Sequence, residues 1–90
     1  MSPALSVTCL CAEWCSACRE YREGFTALAA RYPQWRFRWI DIEEQPEEPG
    51  AEDIETFPTV RVEQASRVLF FGPLPPQPEH LARLLESLSS

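Results

Sequence analysis

Trp14-Cys15-Ser16-Ala17-Cys18 is the stretch on which the reading of this chain turns. It lies where one hydrophobic pattern gives way to another. Upstream, residues 6–11 (Ser-Val-Thr-Cys-Leu-Cys) alternate and are rich in β-branched side chains, which suits a strand. Downstream, apolar positions fall at Cys18, Tyr21, Phe25, Leu28, Ala29 and Tyr32, spaced by three and four as on one face of a helix. A strand that becomes a helix here sets Cys15 at the helix N-terminus. Unpaired N–H groups and the positive end of the helix dipole favour a thiolate there. Cys18 follows one turn later on the same side, within disulfide reach and less exposed. Residue types and spacing alone describe a redox site.

The rest of the chain is ordered around that site. Ala12-Glu13-Trp14 forms the loop into it, and the helix is expected over 16–31. Gly24 inside the helix costs about 1 kcal/mol against Ala, so a bend or a close contact is expected there. Pro33 stops the helix, because the residue before a proline avoids helical backbone angles. Residues 36–42 (Arg-Phe-Arg-Trp-Ile-Asp-Ile) read as a second strand, parallel to the first through a right-handed crossover. Residues 43–55 hold seven acidic side chains with Pro46, Pro49 and Gly50. They read as a loop leading to a short helix near 52–55, with the carboxylates forming a solvated surface. Selection of basic clients by these carboxylates is the sharper alternative. Residues 59–63 and 68–71 form a hairpin around Gln64-Ala65-Ser66. Gly72-Pro73-Leu74-Pro75-Pro76 is expected to leave the strand as a stiff connector. A last helix over 78–88 puts Leu81, Leu84, Leu85 and Leu88 on one face.

Bulk properties narrow the function classes. The 90 residues suffice for one domain, taken as 1–90, and 44% hydrophobic residues with ten aromatics point to a folded globule. A net charge of -6 argues against nucleic acid as partner, since phosphate backbones call for basic patches. No apolar run is long enough to span a bilayer, so no membrane partner is expected. The first strand begins almost at Met1, which leaves no room for a targeting peptide and makes a cytoplasmic location the expectation. Thiols there are kept reduced, so four cysteines read as catalytic or metal-binding rather than as a structural framework.

The chain resembles the thioredoxin-like family. The resemblance rests on Trp14-Cys15-x-x-Cys18-Arg19, on Thr56-Phe57-Pro58-Thr59 with its proline forty residues after Cys18, and on Gly72 after the strand 67–71. It implies an α/β thioredoxin fold: a central mixed four-stranded sheet flanked by helices in the minimal order βαβ-(α)-ββα. It also implies that Pro58 is cis and faces the cysteines, that Trp14 lines the site rim, and that Phe57, Pro58 and Thr59 help bind an extended client. The chain departs from the family's pattern in two places. The buried Asp six residues before the first cysteine is replaced by Cys9, and its Lys partner by Trp39. The dipeptide between the cysteines is Ser-Ala rather than Gly-Pro.

The expected activity is thiol–disulfide exchange without organic cofactor or metal. Cys15 attacks a client disulfide, and Cys18 resolves the mixed disulfide by closing a Cys15–Cys18 bond. The expected partners are a disulfide-bearing client protein and an upstream reductant, with the chain itself a monomer. Two other readings stay open. One is a thioredoxin-fold binding or assembly module without catalysis. The other is a thiol metal site, or a second redox pair, drawing on Cys11 with Cys15 and Cys18. Cys9 and Cys11 share one face of their strand and otherwise read as small buried apolar residues, poorly placed to bond to each other. His80 reads as a helix-start or surface residue.

Overall fold

A computed structural model of the chain describes residues 4–55 and 57–89. The elements are β1 (Leu5–Cys11), α1 (Ser16–Arg31), β2 (Arg36–Asp41), β3 (Thr59–Gln64), β4 (Arg67–Pro73) and α2 (Pro78–Ser89), with a 3-10 turn at Ala51–Asp53 between β2 and β3. The sheet order is β2-β1-β3-β4. β1 and β2 are parallel, as a crossover through α1 requires, and the other pairings are antiparallel. This is the mixed four-stranded sheet of the thioredoxin fold.

One boundary differs from expectation. Gly72 and Pro73 continue β4 opposite Val60 and Thr59 instead of leaving it as a connector. β4 is the outermost strand, so a proline without an N–H takes no bond from a neighbouring ladder. The Leu74 N–H restores the connection by donating to the Pro58 carbonyl at 3.2 Å. The hairpin turn is tight, with only Ala65 and Ser66 between the strands, both at positive φ (51° and 69°). Two such residues match the right-handed twist of the flanking strands.

The two faces of the sheet are built from different chemistry. Leu5, Val7, Cys9 and Cys11 of β1 and Val60 and Val62 of β3 point to one side. Cys18, Tyr21, Phe25 and Leu28 of α1 and Leu81, Ala82 and Leu85 of α2 cover them. Phe25 sits at the centre of an aromatic group, its ring centroid 5.5 Å from Phe37 and 5.6 Å from Trp39. The helices lie side by side in the same direction. A Cβ on Gly24 would stand 2.2 Å from the Pro78 ring, and the Tyr32 hydroxyl donates to Glu86 at 2.8 Å. Gly24 is thus the close contact that its helical position led us to expect.

The opposite face buries Thr8, Leu10 and Arg61 beneath the acidic segment. Arg61 donates to Glu48 at 2.8 Å, to Glu63 at 2.8 Å and to the Pro49 carbonyl. Glu48 also meets Arg38 at 3.5 Å. The Arg61 bond, with the two cations nearby, holds the Glu48 carboxyl below the ordinary carboxylate range. The other six carboxylates of 43–55 are exposed, as a solvated surface requires, and Glu48 alone departs from it as a part-buried anchor that fastens the segment to the sheet. Gly50 turns the chain at φ +90° and brings it onto Phe71, whose ring leaves no room for a Cβ. A groove of about 570 Å³ lies on this face between the segment and β4, away from the cysteines.

Candidate active site at the start of the first helix

Cys15 is the N-cap residue of α1, in extended conformation (φ −84°, ψ 117°). Its N–H donates to the Ala12 carbonyl at 3.0 Å, and its carbonyl accepts the Arg19 N–H at 3.2 Å. No side chain caps the helix and no acidic residue occupies its first turn, so nothing competes with the Cys15 sulfur for the positive helix end. The thiol is free and half-exposed. Arg19 reaches back to the Glu13 carbonyl at 2.9 Å, tying the preceding loop to the helix.

Trp14 is 65% exposed, and its ring meets the edge of Phe57 with centroids 5.6 Å apart. Two residues far apart in sequence, Trp14 and Phe57, thereby join on the rim beside Cys15. The Phe57–Pro58 peptide bond is cis, and Pro58 is fully buried. Thr56 lies outside the described residues. Thr59 is buried and paired with Leu10 on one side and Pro73 on the other, so it belongs to the sheet and not to the exposed rim.

The sulfurs depart from expectation. Cys18 is bonded to Cys11 rather than to Cys15. Cys11 is the last residue of β1, on the face toward the helices, and Cys18 looks back at the sheet from the first turn of α1. Their Cα atoms are 5.9 Å apart, within the usual disulfide range, and both residues are 1% exposed. Cys15 lies on the rim of the same turn. Cys11 is therefore the site residue that the sequence reading did not place among the catalytic ones. Its signal was present in the strand alternation, which aims the final residue of β1 at the helix.

Cys9 sits one pleat deeper, its sulfur 3.7 Å from that of Cys11. Burial pushes the Cys9 thiol far up, so it stays protonated. It pairs in register with Trp39, the two positions where the family's Asp and Lys were missed. Among the described residues, the Tyr21 hydroxyl is the buried side-chain group without a hydrogen-bond partner. Burial and the nearby Cys9 sulfur raise its pKa and keep it a phenol.

Cys18 also lines a cleft of about 220 Å³ with Glu13, Asp41, Glu44, Arg19, Arg22 and Trp39. The three carboxylates offer oxygens within 4.8 Å of one another. Among the described residues this is the grouping able to converge on an ion, whereas no set of three cysteines does so. His80 lies in the first turn of α2.

Comparison with known proteins bears on this geometry. The family model described as Thioredoxin matches residues 3–71. A putative thioredoxin H10 of Arabidopsis thaliana is 39% identical over 49 residues, which is 54% of this chain and about a third (32%) of that protein's length. The thioredoxin of Fasciola hepatica superposes with a TM-score of 0.85 at 20% identity, covering 96% of this chain and 82% of that one. A chain from the crystal structure of a ferredoxin:thioredoxin reductase and thioredoxin f2 complex superposes with a TM-score of 0.86 at 18% identity, covering 99% and 81%.

Proposed function

Because the chain belongs to the thioredoxin family, we propose that it is a thiol–disulfide oxidoreductase that reduces client protein disulfides through Cys15. The Cys15 thiolate attacks one sulfur of the client, forming a mixed disulfide and releasing the other client sulfur, which takes up a proton. The Cys18 thiolate then attacks the Cys15 sulfur. A Cys15–Cys18 bond forms and the second client thiol leaves. The client gains two electrons and two protons, and the protein loses them. An upstream dithiol donor returns the electrons, and the protein works as a cytoplasmic monomer.

One observation carries this reading: a free, half-exposed sulfur stands on the N-cap residue of a helix whose start no side chain caps, with an aromatic rim beside it. Trp14 and Phe57 give an extended client an apolar edge to lie against while its disulfide meets Cys15. Cys18 shares a cleft with the carboxylates of Glu13, Asp41 and Glu44, candidate acceptors of its proton in a chain that lacks the family's buried acid.

Reduction of insulin with dithiothreitol as electron source tests the proposal. The wild-type chain is expected to speed the reaction at least ~100-fold over Cys15→Ser, which loses nucleophilic catalysis altogether. Equal rates for the two proteins contradict it and favour a non-catalytic binding module.

A further inference from the structure

We propose that Cys11 is a third redox-active residue, a second resolving sulfur that takes the disulfide from Cys15 and stores it inside the protein as Cys11–Cys18. The inference rests on the exchange chemistry proposed above and extends it by one step. Its basis is the arrangement of sulfurs: Cys18 is bonded to Cys11, both are buried, and Cys15 on the exposed side of the same helical turn is free.

The step balances. After client reduction the protein holds a Cys15–Cys18 bond and a Cys11 thiol. Cys11 loses its proton and its sulfur attacks that of Cys18. The Cys11–Cys18 bond forms, the Cys15–Cys18 bond breaks, and Cys15 departs as a thiolate that takes up a proton. No external oxidant enters, since the client disulfide has already accepted the two electrons. Overall, two thiols at Cys11 and Cys18 and one client disulfide become one internal disulfide and two client thiols.

The surroundings suit a transfer in this direction. The leaving sulfur sits at an uncapped helix start and half in water, where its charge is received by solvent and unpaired N–H groups. The attacking sulfur lies at the end of β1, its Cα 5.9 Å from that of Cys18. Behind it, Cys9 is held protonated and touches the Cys11 sulfur at 3.7 Å, so it serves as a weak S–H donor rather than as a rival nucleophile. The Tyr21 phenol belongs to the same buried cluster, and its O–H is not engaged elsewhere among the described residues. The consequence is a protein with two oxidised forms. With the Cys15–Cys18 bond closed, no nucleophile is exposed. With the Cys11–Cys18 bond closed, Cys15 is free to bind a second disulfide but has no partner to release it.

Glu13 makes the distinction measurable, because it is the one glutamate between Cys11 and Cys15. The fully reduced chain is treated with one equivalent of bis(2-hydroxyethyl) disulfide, quenched in acid, tagged with an alkylating reagent and cut after glutamate. The expected product is the fragment 1–13 joined to the fragment 14–20 by a disulfide, with Cys9 and Cys15 tagged. Separate fragments, with Cys9 and Cys11 tagged and Cys15 bonded to Cys18, overturn the relay and leave the exchange reaction standing. No oxidation of any cysteine overturns both. In oxidised Cys11→Ala the tagging of Cys15 is expected to fall at least tenfold, since that sulfur then stays bonded to Cys18. Unchanged tagging contradicts the proposal, and the wild-type mapping stands whether or not this variant folds.

Discussion

Arg61 is a charged side chain in the middle of the sheet, buried on the face away from the helices and held by Glu48, Glu63 and the Pro49 carbonyl. Removing one partner of such a pair leaves the other desolvated. Arg61→Leu is therefore expected to cost roughly 2–4 kcal/mol, read from urea unfolding at neutral pH. An unchanged midpoint contradicts the anchoring role. The same pair has a pH signature. Glu48 is held low in the folded state, chiefly by its bond from Arg61, so its stabilising contribution is complete above the unfolded carboxylate value of about 4.3 and disappears as pH falls through the lower folded value. Acid-induced loss of stability below about pH 4.5 is expected to be shallower in Glu48→Gln than in the wild type. Composition marked residues 43–55 as acidic, but it could not tell which carboxylate faces Arg61. That choice is made by the register of β3 and the turn at Gly50, both set by tertiary packing. Cys11 entered only as an alternative, in a metal site or second redox pair, for a related reason: the Cys-x-x-Cys spacing places the expected bond along the helix, while the bond forms across from the strand.

The elements themselves were largely legible. Periods of two and of three to four mark β1 and α1, and Pro33 marks where the helix stops, so β1 and α1 fall within a residue of expectation. The ends of β4 were not legible, because the meaning of Gly72-Pro73 depends on whether the strand is at an edge, which is a property of the whole sheet. Gly24 illustrates an element-scale constraint that propensity alone misreads. Alanine there improves intrinsic helicity by ~1 kcal/mol, yet its Cβ would stand 2.2 Å from the Pro78 ring. Gly24→Ala is expected to be destabilising by about 1–3 kcal/mol net, from overpacking between α1 and α2. The double variant Gly24→Ala/Pro78→Ala is expected to recover most of the loss. Thermal unfolding of the two proteins checks this, and a Gly24→Ala protein more stable than wild type contradicts the packing account.

Across the whole molecule, the sheet separates two tasks. Its helix-covered face carries the apolar core and brings the four sulfurs to the end of β1 and the start of α1. Its other face fixes the acidic segment through Arg61 and leaves Val68 and Phe71 beside a groove. The chemistry therefore rests on one junction, where a strand ends, a helix begins and a half-exposed sulfur stands above buried ones. That junction is tested most directly by trapping. Cys18→Ser, reduced and then incubated with a disulfide-bonded client protein, lacks the sulfur that releases the mixed disulfide. Peptide mapping by mass spectrometry is expected to show the client linked covalently to Cys15 in most of the protein, with Cys9 and Cys11 unmodified. A client attached at Cys9 or Cys11, or no covalent adduct at all, contradicts the assignment of Cys15 as the nucleophile.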